Sequence, residues 1–224
     1  METNKKIYVY CSGPLFCPEE IGGMKAISDV LENAGYGTFL PHRDGLEAFV
    51  LKHTNSKANL DFFGLKKIID KAIFSLDVYQ IVKRCEYFVF NMNGRVPDEG
   101  GVAETAIAFS VGKPIVIYKN DFRSAFNGMD NSMVTGLSFS AKISDIKQIP
   151  SHLEKTAKTL SKLGEMSYCE NTMPPMLRQT IKLGETLWTT LKVIDMRKNK
   201  ENLVSELAYK VSEACKNFPE LFCS

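Results

Sequence analysis

Residues 87–118 of this chain, YFVFNMNGRVPDEGGVAETAIAFSVGKPIVIY, decide its fold. Tyr87–Asn91 and Ile115–Tyr118 are short runs of aromatic and β-branched residues, which predict two buried strands. We expect a helix between them over residues 102–111, because the apolar pattern stops there at the Gly-Lys-Pro sequence of residues 112–114. A strand followed by a helix and a further strand is the repeating unit of a parallel α/β sheet.

The N-terminal half of the chain repeats this alternation. Further strands are predicted at residues 7–11 and 38–40, and further helices at residues 19–34 and 65–83. The pattern predicts an α/β fold, with a parallel sheet flanked by helices on both faces. Later in the chain only amphipathic helices are predicted, at residues 151–164, 175–196 and 201–216. We therefore expect an α/β domain over residues 1–148 and an all-helical C-terminal extension over residues 149–224.

The composition argues against several classes of partner. The net charge of the 224 residues is +2, so the chain lacks the excess positive charge expected of a protein that binds a nucleic acid polymer or an anionic membrane. No apolar run approaches the ~20 residues of a membrane-spanning helix. The N-terminal sequence METNKK leads directly into a strand-like run and lacks a signal-peptide pattern, so a cytoplasmic protein is expected.

The cysteines and histidines show no metal-binding pattern. The chain has six cysteines and three histidines, without a Cys-x-x-Cys pair or a histidine at ligand spacing. We interpret the cysteines as reduced thiols that pack as small apolar side chains. Neither a metal nor any other cofactor is predicted.

Polar residues are concentrated in the loops that follow the predicted strands. Ligands of open parallel sheets bind at these carboxyl ends, and the richest loop leads from Asp98 to Glu104, which we expect in the first turn of the next helix. A helix N-terminus favours an ionised carboxylate by ~0.3–1 kcal/mol. An acid beside a carboxylate nucleophile suits glycosidic cleavage, whose transition state resembles an oxocarbenium ion. Spacing alone also allows Asp98 to be a turn residue and Glu104 to be an acid that complements the helix dipole.

Five short stretches of the sequence give a further indication. They are YCSGPLF at residues 10–16, PHRDG at 41–45, the loop ending at Glu104, GKPI at 112–115 and NSM at 131–133. In this order, and over about residues 7–137, they resemble the nucleoside 2-deoxyribosyltransferase family. The resemblance implies a Rossmann- or flavodoxin-like catalytic domain whose partners are small molecules, namely a nucleoside or nucleotide and a free nucleobase. It also implies a homo-oligomer, since members of the family build their sites at subunit contacts.

The resemblance implies four catalytic residues. Glu104 would attack C1′ of the sugar and form a glycosyl-enzyme intermediate, while Asp98 would position the nucleobase and manage its proton. Asp77 matches the acid on the helix before the catalytic strand. Tyr10 matches a tyrosine that orients the nucleophile, and Tyr8, one strand repeat earlier, is the alternative.

The resemblance also implies substrate-binding residues and shows two departures from the family. The implied residues are Ser12, Gly13, Phe16, Asp44, Gly100 and Asn131. Among them, Phe16 would form part of the wall around the base, and Asn131 would reach the sugar hydroxyls, often from a neighbouring subunit. Family members often have aspartate where this chain has Asn93 and threonine where it has Gly101. These differences bear on the substrate and not on the nucleophile.

Three functions are compatible with these residues. The first is transfer of a 2-deoxyribosyl group from one nucleobase to another, which the Gly-Pro-Leu-Phe sequence of residues 13–16 favours. The second is hydrolysis of a nucleoside or a nucleoside 5′-monophosphate, in which water replaces the second base. The third is a catalytically inactive nucleotide-binding sensor, for which a retained nucleophile would be unnecessary.

Overall fold

The chain groups into two compact units that are each discontinuous in sequence. A computed structural model describes residues 6–48, 62–124, 129–139, 142–164, 172–194 and 200–222, without the side chains of residues 62–66 and 200–205. The first unit comprises Met1–Leu40 and Ile81–Tyr168, and the second comprises Pro41–Gln80 and Cys169–Ser224. The predicted domain boundary after residue 148 stays a prediction, because these units are defined by contacts and not by independent folding.

We number the strands and helices in chain order. The strands are β1 (Tyr8–Ser12), β2 (Gly37–Phe39), β3 (Tyr87–Asn91) and β4 (Ile115–Tyr118). The helices of the described residues are α1 (Pro18–Asn33), α2 (Pro41–Asp44), α3 (Phe62–Tyr79), α4 (Glu99–Ser110), α5 (Ser132–Thr135), α6 (Ile149–Ser161), α7 (Pro175–Lys192) and α8 (Lys200–Lys216). A π-helical turn, Gln80–Arg84, continues α3, and 3-10 turns lie at Ile146–Gln148 and Pro219–Leu221. None of the helices within the described ranges is long and apolar enough to cross a membrane.

The four strands form one parallel sheet in the order β2-β1-β3-β4. The predicted parallel sheet flanked by helices is therefore confirmed, as is the helical character of the C-terminal region. The strand order corresponds to the first four strands of the flavodoxin-like arrangement. From β1 the chain passes to one side of the sheet, and from β3 it passes to the other. The carboxyl ends of β1 and β3 therefore border the crevice where ligands of such sheets bind.

Helices α1 and α6 cover one face of this sheet. Alternate residues of the strands point to the same face, and the apolar positions of α1 recur every three or four residues, so the two patterns meet in one buried core. This core includes Val9, Cys11, Val89 and Val116 from the strands, Met24, Ile27 and Leu31 from α1, and Ile149 and Leu153 from α6. Helix α6, which the sequence assigns to the extension, thus packs within the first unit.

The second unit is a helical cluster built on α3, α7 and α8. Its buried residues include Ala72 and Leu76 of α3, Leu183 and Leu187 of α7, and Leu207 and Val211 of α8. Helix α7 lies against α3 at Gly184, where a Cβ atom would be 2.0 Å from the carbonyl oxygen of Ser75 and 2.5 Å from Cβ of Tyr79. Only glycine allows the two backbones to approach so closely.

A buried ion pair fixes the segment that follows β4. Lys119 Nζ lies 2.5 Å from Asp130 Oδ1, and the two side chains are 1% and 5% exposed. Lys142 contacts the other oxygen of Asp130. The backbone N–H of Lys119 also donates to the carbonyl of Ile143 at 2.8 Å, so the segment is held by main chain and side chains together. Burial raises the pKa of Asp130, but the hydrogen bonds from both lysines outweigh it, and the pKa is lowered.

We expect Gly184→Ala to lower the free energy of unfolding by about 1–3 kcal/mol, because the added methyl group overpacks the α3–α7 contact. Gly22, in α1, is the matched control, since an added Cβ there meets nothing within 4 Å. Gly22→Ala should raise stability by about 0.5–1 kcal/mol through helix propensity. Urea unfolding followed by circular dichroism measures both. A Gly184→Ala variant with an unchanged free energy of unfolding would contradict the close contact between α3 and α7.

We expect Lys119→Met to destabilise the protein by about 1.5–3 kcal/mol, because the buried Asp130 loses one of its two charge-assisted hydrogen bonds and keeps only the one from Lys142. Lys25→Met is the control: Lys25 pairs with Asp29 on the surface, with exposed fractions of 72% and 49%, and its loss should cost under about 1 kcal/mol. Because the pKa of Asp130 is lowered in the folded state, the pair stabilises above the ordinary aspartate pKa. The contribution of the pair is lost as the pH falls through the pKa of Asp130 in the folded state. Urea unfolding should therefore show a smaller stability difference between Lys119→Met and the unaltered protein in acid than at pH 7.

Candidate active site

The crevice at the carboxyl ends of β1 and β3 is formed by close backbone packing. Ser12, the last residue of β1, lies in register with Phe90 of β3. Gly13 follows with φ +152°, and a Cβ atom there would be 2.7 Å from Cβ of Asn91 and 2.9 Å from the sulfur of Met24. A side chain at residue 13 would therefore be disfavoured by the positive φ and would also clash with Asn91 of β3.

Glu104 is held by two hydroxyl groups of β1. The phenol of Tyr10 donates to Oε1 at 2.8 Å, and the hydroxyl of Ser12 donates to Oε2 at 2.5 Å. Alternate residues of a strand share a face, so Tyr10 and Ser12 both point toward α4. Both oxygen–oxygen distances lie within the range of O–H···O hydrogen bonds. The structure thus brings together three residues that the sequence analysis selected.

Tyr10 itself is fixed by an aromatic row across the sheet. Its partners in register are Phe39 of β2 and Phe88 of β3. Both rings stack on it with centroid distances of 5.4 Å, and the planes of Tyr10 and Phe88 differ by 4°. Tyr10 is fully buried, at 0% exposure. The phenol oxygen therefore has a fixed position from which to orient the carboxylate.

Helix α4 begins earlier than the sequence pattern predicts. It starts at Glu99 and not at residue 102, because Asp98 caps it: Oδ2 of Asp98 accepts the N–H of Gly101 at 2.6 Å. Glu104 consequently lies in the second turn of the helix and not in the first. Since the helix dipole acts mainly within the first turn, the expected stabilisation by the helix N-terminus is wrong, and hydrogen bonds from β1 orient the carboxylate instead.

Gly101 allows α4 to lie close to the sheet. A Cβ atom at this residue would be 2.4 Å from Cε2 of Phe90 and 3.2 Å from Oγ of Ser12. The ring of Phe90, which is fully buried, fills the space that a larger residue would need. Gly100 is exposed in the same turn, where a Cβ would lie 3.3 Å from Oδ2 of Asp98.

Asn93 connects the loops that follow β3 and β4. Its side-chain oxygen accepts the N–H groups of Asn120 and Asp121 at 3.0 and 3.1 Å. In return Asp121 accepts the N–H of Gly94 at 3.1 Å. Hydrogen bonds from Arg123 hold the pKa of Asp121 well below its usual range. Asn93 therefore has a structural role here, for which a carboxylate oxygen would also serve as acceptor.

The predicted residues Phe16 and Asn131 lie on the surface of the first unit. The side chain of Phe16 is 77% exposed, while its N–H donates to Glu20 at the start of α1. Asn131 is exposed and caps α5, because its side-chain oxygen accepts the N–H of Met133 at 2.9 Å. It directly follows Asp130, so the buried ion pair with Lys119 determines where Asn131 is presented.

Two predicted residues belong to the second unit. Asp44 accepts three hydrogen bonds from the guanidinium of Arg43 beside it, at 2.9–3.0 Å. Asp77 is buried in α3, at 7% exposure. Burial raises the pKa of Glu47, and a hydrogen bond with Asp77 acts in the opposite direction. A hydrogen bond between two carboxyl groups requires a proton on one of them.

No group of three or more potential metal ligands occurs among the described residues. Among the described cysteines, Cys11, Cys17, Cys85 and Cys215 form no disulfide bond, whereas Cys169 and Cys223 lie outside the described ranges.

Sequence reasoning missed three features of this arrangement. Ser12 was assigned to the substrate, yet it donates to Glu104. The alternation of Tyr10 and Ser12 along one strand could have indicated that both face the same partner. Glu47 and the Lys119–Asp130 pair have no local sequence signal, because their contacts depend on how separate segments of the chain pack together.

The chain matches the sequence model of nucleoside 2-deoxyribosyltransferases over residues 9–162. No curated protein matches it. A conserved protein from Enterococcus faecalis V583 superposes with a TM-score of 0.49 at 15% identity, over 67% of this chain and 98% of that protein. A 2-deoxyribosyltransferase from Bacillus psychrosaccharolyticus superposes with a TM-score of 0.45 at 15% identity, over 63% of this chain and 89% of that protein. A 2-desoxiribosyltransferase from Leishmania mexicana superposes with a TM-score of 0.39 at 12% identity, over 68% of this chain and 97% of that protein.

The family match begins in β1, includes Tyr10, Ser12, Asp98 and Glu104, and ends just after α6. It covers more than half of the 224 residues. The chain therefore belongs to the nucleoside 2-deoxyribosyltransferase family.

Proposed function

We propose that this protein exchanges the nucleobase of 2′-deoxynucleosides through a covalent ester between Glu104 and C1′ of the sugar. The observation that supports this most is the pair of hydroxyl groups, from Tyr10 and Ser12, that hydrogen-bond the two oxygens of Glu104. Hydrogen bonds donated to a carboxylate favour its ionised form and fix its orientation. A carboxylate nucleophile needs both properties.

The proposed reaction has two half-reactions. In the first, Glu104 donates an electron pair to C1′ while the C1′–N bond breaks, and the nucleobase leaves with the electron pair of that bond and takes up a proton. In the second, a nitrogen of another base attacks C1′, the ester bond breaks, and its electron pair returns to Glu104. Both transition states have oxocarbenium character, so a nearby carboxylate stabilises them as charge develops on the sugar.

In this proposal Asp98 handles the proton of the nucleobase. Its Oδ2 caps α4, which fixes the position of Oδ1 for that role. The exposed ring of Phe16 forms part of the wall around the base, and Asn131 reaches the sugar hydroxyls from a neighbouring subunit of a homo-oligomer. The family resemblance, and not local geometry, supports the roles of Asp77 as a further acid and Asp44 as a binding residue.

We expect Glu104→Gln to abolish base exchange, because the amide is neutral and a poor nucleophile. The measurement incubates deoxyinosine, deoxyadenosine, thymidine and deoxycytidine separately with a mixture of free bases and detects new deoxynucleosides by chromatography. Glu99→Gln is the matched control, since Glu99 is an exposed glutamate of the same helix, and its activity should equal that of the unaltered protein.

The outcomes of this experiment separate the candidate functions. New deoxynucleosides support transfer. Release of free base without a new nucleoside, from deoxynucleosides or from their 5′-monophosphates, would replace transfer by hydrolysis. No cleavage of any substrate by the unaltered protein, or full activity of Glu104→Gln, would overturn the proposal.

We expect Tyr10→Phe to lower kcat by about 10- to 100-fold, because a hydrogen bond to a charged group contributes about 1.5–3 kcal/mol. Tyr36→Phe is the control. Tyr36 also donates to a glutamate, Glu154, at 3.4 Å, but it packs in the core beneath α1 and α6. Its loss should change kcat by less than about two-fold. Equal effects of the two variants would indicate that Tyr10 contributes through packing alone.

A further inference from the structure

Ser12 has a position that substrate binding alone does not explain. It is the last residue of β1 and is 1% exposed. A serine hydroxyl has one hydrogen to donate, and that hydrogen is directed to Oε2 of Glu104 at 2.5 Å. The hydroxyl therefore contacts an atom that takes part in the proposed reaction.

The space around Ser12 leaves room for its hydroxyl beside Glu104. On one side, the position of a Cβ at Gly101 is 3.2 Å from Oγ of Ser12. The absence of a side chain at residue 101 leaves room for the hydroxyl between β1 and α4. Phe90 of β3 lies in register beside Ser12, and its side chain is fully buried.

A donor in this place affects the two half-reactions differently. A hydrogen bond to a charged group contributes about 1.5–3 kcal/mol, against about 0.5–1.5 kcal/mol for a neutral pair. Glu104 is a carboxylate before attack and after release, and a neutral ester between them. The Ser12 hydrogen bond therefore stabilises the carboxylate more than the ester, and so favours cleavage of the ester relative to its formation.

The two donors also differ in freedom of movement. The oxygen of Tyr10 is fixed by a ring stacked between Phe39 and Phe88, whereas the oxygen of Ser12 moves by rotation about a single side-chain bond. A carbonyl oxygen of an ester remains a good acceptor, and the bridging oxygen is a poorer one. This assigns the carbonyl oxygen to Oε1, beside Tyr10, and the oxygen bonded to C1′ to Oε2, beside Ser12.

We propose that Ser12 is a catalytic residue of the second half-reaction, in which its hydroxyl stabilises the negative charge that returns to Oε2. The inference rests on the proposed function. As the C1′–Oε2 bond breaks, its electron pair goes to Oε2, where the Ser12 hydroxyl donates. A nitrogen of the incoming base supplies the electron pair for the new bond to C1′, and its proton passes to Asp98.

The test separates the half-reactions by rapid mixing of enzyme with the deoxynucleoside that the unaltered protein uses best. The first release of base reports ester formation, and the rate at which a second base forms product reports ester cleavage. In Ser12→Ala we expect ester cleavage to slow by about ten-fold or more, and ester formation by less than about three-fold. Intact-protein mass spectrometry should then show accumulation of enzyme carrying one deoxyribosyl group.

Further variants distinguish chemistry from packing. Ser12→Cys fills a similar volume with a weak donor and should behave as Ser12→Ala does. Ser28→Ala is the control, since Ser28 is as buried as Ser12 and donates to Glu32 of α1. The control should leave both rates unchanged.

Two results would overturn the inference while leaving the proposed function intact. One is an equal slowing of both half-reactions in Ser12→Ala and Ser12→Cys. The other is a slowing confined to the first release of base. Full activity of Glu104→Gln, by contrast, would remove the proposed function itself, so the two failures are distinguishable.

Discussion

Helix α4 lies against the sheet at Gly101, where a Cβ atom would be 2.4 Å from the ring of Phe90. This close approach brings Glu104, three residues later in the helix, to the face of β1 that carries Tyr10 and Ser12. The aromatic row of Phe39, Tyr10 and Phe88 supports the contact from the sheet side. The orientation of Glu104, the proposed nucleophile, therefore depends on an absent side chain at Gly101 and on the stacked rings of the aromatic row.

The electrostatics of the site follow from this packing. A carboxylate that loses contact with water needs donated hydrogen bonds to remain ionised. Glu104 receives two such hydrogen bonds from the uncharged hydroxyl groups of Tyr10 and Ser12. These neutral donors suit the alternation between carboxylate and ester that we propose for Glu104.

Charged side chains in the first unit act instead on the loops around the crevice. The Lys119–Asp130 pair is buried, and it fixes the backbone immediately before Asn131. Asn93 and Asp121 join the loops after β3 and β4 by hydrogen bonds to backbone N–H groups. Within the second unit, Glu47 and Asp77 form a buried carboxyl pair. The Lys119–Asp130 pair gives both charges a partner where water is excluded, as burial requires.

The sequence by itself determined the alternating strands and helices, because apolar periodicity and glycine or proline stops are local properties. It placed β3 and β4 at their observed ends and selected Tyr10, Asp98 and Glu104 by family resemblance. It did not determine the start of α4, since an aspartate in a loop and an aspartate cap have the same local pattern. Only the tertiary structure decided that Ser12 donates to Glu104 and that Lys119 pairs with Asp130. Ser12 and Glu104 are 92 residues apart and Lys119 and Asp130 are 11 apart, so neither contact follows from the local pattern, and both distances are set by how closely the helix, strands and loops pack.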